Sequence, residues 1–150
     1  LYYGGLSVSE QLARADSTMI SEGDIPPVTE ETPHFRRITM KNIICRGARQ
    51  ALYLQGLPEL NLEDVTMENI DMTAGNGLTC IDSRNITIRN LRLEVENKPT
   101  LMFVNSTEVN IINFEVAEDD DGLYDFSGDR SDNISVETVT ADGKVKVRTL

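Results

Sequence analysis

Apolar and polar residues alternate in five short stretches of this chain, and each stretch breaks its alternation at the same place. Residues 38–45, 65–72, 86–93, 109–116 and 134–141 read apolar-x-apolar-x-Asn-apolar-x-apolar, with Thr138 replacing Asn in the last. Their starts are separated by 27, 21, 23 and 25 residues. Alternation with period two predicts a strand that presents every second side chain to one side. At the Asn the phase shifts by one, so the strand bends there. The bend is expected to turn a polar side chain inward, which is unfavourable unless that side chain is bonded. Asn supplies two donors and a carbonyl acceptor, and it tolerates turn geometry. Stacked units would let Asn42, Asn69, Asn90 and Asn113 bond one another as a ladder.

A second strand is expected in the back half of each unit, at residues 51–57, 77–81, 100–104 and 123–126, with Gly47, Gly56, Gly77 and Gly122 marking neighbouring turns. A flat unit of this kind cannot bury its own apolar face, whereas stacking places like positions over one another and makes a continuous core. The predicted fold is all-β, a right-handed parallel β-helix (solenoid) of about five coils. Regularly spaced strands also fit an antiparallel β-sandwich, but a phase shift at one fixed Asn argues against it.

Residues 1–34 do not share the period. Residues 1–3 read as the end of a strand of an upstream coil, residues 9–14 as a short helix, and residues 25–28 and 32–33 as extended chain. The coils occupy residues 35–150, with an acidic loop at 118–132 and a last strand at 145–150. The whole is one structural domain, incomplete at its N-terminal end. A solenoid cut open there exposes its coil interior and is expected to self-associate or to need a cap.

Charge narrows the partners. The 150 residues carry 25 Asp and Glu against 14 Lys and Arg, a net charge of −11. Phosphate binding needs clustered bases, so nucleic acid and anionic membrane surfaces are disfavoured. No apolar run is long enough to span a bilayer. Neither does a signal peptide open the chain, which starts at Leu1 and is expected to continue upstream. Residues 115–150 hold ten acids and four bases, so much of the excess charge is C-terminal. Cys45 and Cys80 fall in different strands and read as two separate buried thiols.

The candidate sites are few. Asp119, Asp120 and Asp121 lie in the acidic loop and read as solvated, since paired catalytic carboxylates need a rigid scaffold to aim them. Asp119, Asp121, Asp125 and Asp129 are spaced to allow Ca²⁺, but the EF-hand pattern is absent and no metal site is assigned. His34 stands alone and reads as structural. Arg36, Arg37, Arg46 and Arg49 form the one basic concentration. They could face a carboxylated sugar, or pair with Glu30, Glu31 and Glu63 across coils.

The runs Val28-Thr29-Glu30-Glu31-Thr32-Pro33-His34-Phe35-Arg36-Arg37-Ile38 and Gly56-Leu57-Pro58-Glu59 resemble a junction in bacterial members of glycoside hydrolase family 28, the polygalacturonases and related pectinases. With the Asn-bearing repeats, the resemblance covers about residues 1–116. It implies a parallel β-helix that hydrolyses galacturonate-containing pectic polysaccharide, typically with inversion. The family's active-site segments are Asn-Thr-Asp, Asp-Asp, Gly-His-Gly and Arg-Ile-Lys. None stands at a matching position here. Leu1-Tyr2-Tyr3 looks like the strand end that follows the Arg-Ile-Lys coil, which puts the catalytic coils upstream. The resemblance therefore implies the C-terminal portion of a polygalacturonase-like glycosidase. It implies no catalytic residue and no cofactor in this chain, which alone would be inactive. Tyr2 and Tyr3 become candidate sugar contacts, and a secreted, periplasmic or cell-surface location follows. A non-catalytic β-solenoid that binds carbohydrate or plays a structural part is the alternative.

Overall fold

In the computed structural model, which describes residues 25–116 and 121–150, the repeats stack as parallel coils of a β-solenoid. The elements are β1 (Arg36–Gln55), β2 (Leu62–Ile81), β3 (Ser83–Val95), β4 (Leu101–Val104), β5 (Thr107–Val116), β6 (Tyr124–Ser127), β7 (Asp132–Thr140) and β8 (Val145–Thr149). β1 and β2 are each a whole turn. β3 with β4 makes the third turn, and β5 with β6 the fourth. β7 opens a fifth, which the antiparallel β8 ends. All other pairings are parallel and in the register that the repeats predict, Ile38 on Val65, Val65 on Ile86, Ile86 on Val109 and Val109 on Ile134.

That register builds the core by columns. Met40, Met67, Ile88, Ile111 and Val136 form one, and Ile43, Ile70, Leu91 and Phe114 another. Leu52, Leu78, Leu101 and Tyr124 line the opposite wall, where Phe103 and Phe126 stack with centroids 5.4 Å apart. Ile86, Ile88, Leu91, Leu101, Phe103 and Val109 are wholly buried. In the first coil, Ile38, Met40, Ile43 and Cys45 are only partly buried. Among the described residues β1 pairs with β2 alone.

Three expectations need correction. The asparagines do stack, but outward: Asn42, Asn69 and Asn90 are exposed and Asn113 is half-buried. The backbone takes the phase shift by entering the left-handed region, with φ of 57°, 56°, 54° and 58° at these four positions. Asn tolerates that region best among non-glycine residues. Gly77 does not mark a turn. It lies within β2, where a Cβ would come 1.9 Å from the Thr100 carbonyl oxygen. Finally, residues 118–132 are not one loop, because β6 runs through them with Tyr124 buried in the core.

β8 turns back on β7, with Val136 opposite Arg148 and Thr138 opposite Lys146. The Arg148 guanidinium lies 5.0 Å from the centre of the Tyr124 ring, so a charge covers the last core layer. Inward charge on an edge strand disfavours the addition of another strand. Among the described residues no helix is long and apolar enough to cross a membrane.

Candidate functional site

The ladder is continuous over four coils. Asn69 Nδ2 donates to Asn42 Oδ1, Asn90 Nδ2 to Asn69 Oδ1 and Asn113 Nδ2 to Asn90 Oδ1, each at 2.8 Å. Each link uses one N–H and one lone pair, leaving the amide with a second of each for a ligand. Two residues further along each strand stands an outward column, Ile44, Asp71, Arg92 and Glu115. Ladder and column enclose a groove of about 380 Å³ that runs across the coils, parallel to the solenoid axis. On the ladder's other side stands a mixed column of Lys41, Glu68, Arg89 and Ile112.

Ion pairs set the electrostatics of this groove. Arg46 grips Asp71 through both nitrogens, at 2.6 and 3.0 Å, and also donates to the Asp71 carbonyl at 2.9 Å. Its guanidinium holds the Asp71 carboxyl below the usual carboxylate range. Arg92 donates to Glu94 at 2.8 Å. A carboxylate pinned by Arg stays ionised at neutral pH and cannot serve as a general acid. Glu115, the groove's second carboxylate, is exposed and makes no ion pair among the described residues.

A second polar cluster lies at another corner. Arg130, after β6, reaches back to donate to Asp82 Oδ1 at 2.6 Å and to the Pro58 carbonyl at 3.0 Å. Asp82, between β2 and β3, is buried in the left-handed region with φ of 43°. Burial pushes its carboxyl up to about 6, against the pull of Arg130. The contact ties the fourth turn to the chain between the first and second. Its geometry is that of a staple.

The candidates from sequence fall in different places. Tyr2, Tyr3, Asp119 and Asp120 lie outside the described residues. Asp125 and Asp129 are exposed. Among the described residues no three His, Cys, Asp or Glu side chains group as metal ligands. His34 pairs with Glu63 at 2.7 Å, and Arg84 shares that carboxylate at 3.3 Å. Arg46 finds Asp71 instead of Glu30, Glu31 or Glu63, while Arg36, Arg37 and Arg49 make no ion pair among the described residues. Neither Cys is bonded to the other. Cys80 is buried, its thiol pushed up to about 11 by desolvation, and Cys45 is half-buried.

Two further ladders were not expected. Asn85 Nδ2 donates to Asp64 Oδ1 at 2.7 Å, and Asn97 Nδ2 to Asn76 Oδ1 at 3.1 Å. The signal was present at fixed offsets, one residue before and eleven after each repeat start, but only in two coils each. The Asp82–Arg130 staple has no such period. Comparison with family models, with curated proteins and with solved structures returned no match to this chain.

Proposed function

We propose that this chain is the C-terminal, capped portion of a polygalacturonase-like glycoside hydrolase, and that its part in the enzyme is to hold galacturonate-containing polysaccharide. The observation that carries this reading is the axial groove beside the asparagine ladder. A polymer laid along the axis would meet one amide per coil, at Asn42, Asn69 and Asn90, with Arg92 beside them. Carboxylated sugars suit Arg, which engages a carboxylate through two parallel N–H bonds. The acid and base of an inverting glycosidase stand about 6.5–9.5 Å apart with room for water. In this groove Asp71 is tied to Arg46. Proton transfer is assigned to coils upstream of β1 on the sequence resemblance alone. In such an enzyme this portion would retain the polymer while the upstream carboxylates cleave it.

A non-catalytic binding solenoid is the second reading, favoured by the same Arg–carboxylate pairing. The two share a groove and differ in what precedes it. The test is calorimetric titration of the purified chain with oligogalacturonate, alongside an assay for new reducing ends. Binding without cleavage is expected, and Arg92→Ala weakens it about tenfold by removing a charged hydrogen bond. No binding, or release of reducing ends abolished in an Asp119/Asp120 double mutant, would overturn the assignment. Catalytic segments encoded upstream in a longer reading frame would decide for the enzyme.

A further inference from the structure

The asparagine ladder presents the same amide on every coil, but the side chains beside it change from coil to coil. Neighbouring coils of a parallel sheet are about 4.8 Å apart, close to the length of one ring in a polysaccharide chain. Each coil is therefore a separate subsite with a charge of its own. On the first coil Asn42 stands between Lys41 and Ile44, and Lys41 is engaged by Glu68 at 2.8 Å. On the second, Asn69 stands between Glu68 and Asp71, the carboxylates that Lys41 and Arg46 hold. On the third, Asn90 stands between Arg89 and Arg92. On the fourth, Asn113 stands between Ile112 and Glu115.

Among these coils the third is the one that offers cationic groups to a ligand carboxylate. Arg89 is exposed and makes no ion pair among the described residues. Arg92 engages Glu94 through one nitrogen at 2.8 Å, and a guanidinium has further N–H groups to give. The flanking coils lack that provision. Both carboxylates of the second coil are matched by bases of the first, so no charge of either sign is left over there. The fourth has no base beside the ladder, and its Glu115 is exposed and unpaired among the described residues. Glu115 stands in register with Arg92, yet Arg92 turns to Glu94, so the Glu115 carboxylate keeps its charge at the groove. A ligand carboxylate one ring along from Arg92 would meet it. Like charges juxtaposed at an interface cost affinity, and such repulsion is a source of specificity. At the first coil the groove is lined by Ile44, which is 73% exposed and suits an uncharged, methylated group.

We propose that the groove selects partly methyl-esterified galacturonan, with one free carboxylate seated on the third coil at Arg89 and Arg92, and that Glu115 is the specificity-determining residue that turns away a second carboxylate on the fourth. The inference rests on the reading of this groove as a polysaccharide site. It narrows the substrate class from any galacturonate-containing polymer to one whose charged rings are separated by uncharged ones. An esterified ring meets Glu115 without repulsion, and its hydroxyls can donate to that carboxylate.

The test is calorimetric titration of the 150-residue chain, at low salt, with short oligogalacturonates of equal length. One is fully ionised, one about half methyl-esterified and one fully methyl-esterified. The half-esterified oligomer is expected to bind about fivefold more tightly than the fully ionised one. It also binds more tightly than the fully esterified one, which brings the arginines no carboxylate. Glu115→Gln removes the repulsion at an exposed position of unchanged shape, and it raises affinity for the fully ionised oligomer about threefold. Glu115→Lys reverses the order, so that the fully ionised oligomer binds best. Equal affinity of the wild-type chain for the fully ionised and half-esterified oligomers would overturn the proposal. So would a ratio that neither Glu115 variant changes. Both of those results leave the groove reading standing, whereas no binding of any of the three oligomers removes the groove reading and this inference with it.

Discussion

Asn69 donates to Asn42, accepts from Asn90 and holds a left-handed backbone, all with one side chain. Replacing it with Ala removes two hydrogen bonds, each worth about 1 kcal/mol, and adds roughly 1 kcal/mol of backbone strain. Urea unfolding of Asn69→Ala is expected to show a loss of about 2–3 kcal/mol. Asn69→Gly relieves the strain and should lose about 1 kcal/mol less. Equal losses in the two variants would mean that the ladder matters and the backbone conformation does not. Asp82 makes a different kind of contribution. Its folded value of about 6 lies above the usual unfolded value near 4, so the folded state holds the extra proton between them. Its contribution is complete below pH 4 and is lost as pH rises towards 6, on the order of 2 kcal/mol. Half-buried Glu68 and Asp71, held low by Lys41 and Arg46, act in the opposite sense and lose their contribution as pH falls. Unfolding free energy followed from pH 4 to pH 7 should therefore fall in the wild type relative to Asp82→Asn. A parallel pair of curves would contradict the assignment.

Elements are where sequence pattern and structure meet most closely here. The five repeats sit in register as predicted, because alternation on a pleated strand leaves one solution that buries every apolar column. Strands β4 and β6 were equally legible, since each is a short apolar alternation after a turn. Gly77 was not. Its role is a close backbone approach from the next coil, and a single sequence shows a glycine without showing what lies against it. Thermal unfolding of Gly77→Ala should reveal a severe loss, because Thr100 backbone must move to admit a methyl group. β8 was expected as a strand but not as an antiparallel one, and its reversal covers the edge of β7. Deleting residues 142–150 uncovers the edge of β7 and the Tyr124 layer. Size-exclusion chromatography with light scattering should then show concentration-dependent oligomers. A deletion no more associated than the parent would mean that β8 is not the cap.

Across the whole molecule, charge is distributed coil by coil rather than as one acidic surface. A net charge of −11 conceals a first strand with five bases and a second with four acids. Neighbouring coils are thereby paired by charge as well as by backbone bonds, as Lys41–Glu68 and Arg46–Asp71 show. The groove is a product of stacking. Asn42, Asn69 and Asn90 were legible as a ladder, but their outward direction depends on a left-handed backbone that composition does not reveal. The Arg130 contact joins residues 48 positions apart and has no counterpart in other coils among the described residues, so no periodic argument could have found it.

The groove is the centre of this account. An amide-resolved titration of labelled protein with oligogalacturonate tests it most directly, read at the side-chain NH₂ signals of the asparagines and the guanidinium of Arg92. The account predicts progressive shifts at Asn42, Asn69, Asn90 and Arg92, with the Asp82–Arg130 corner unmoved. Shifts confined to that corner, or no shift at saturating oligosaccharide, would contradict it.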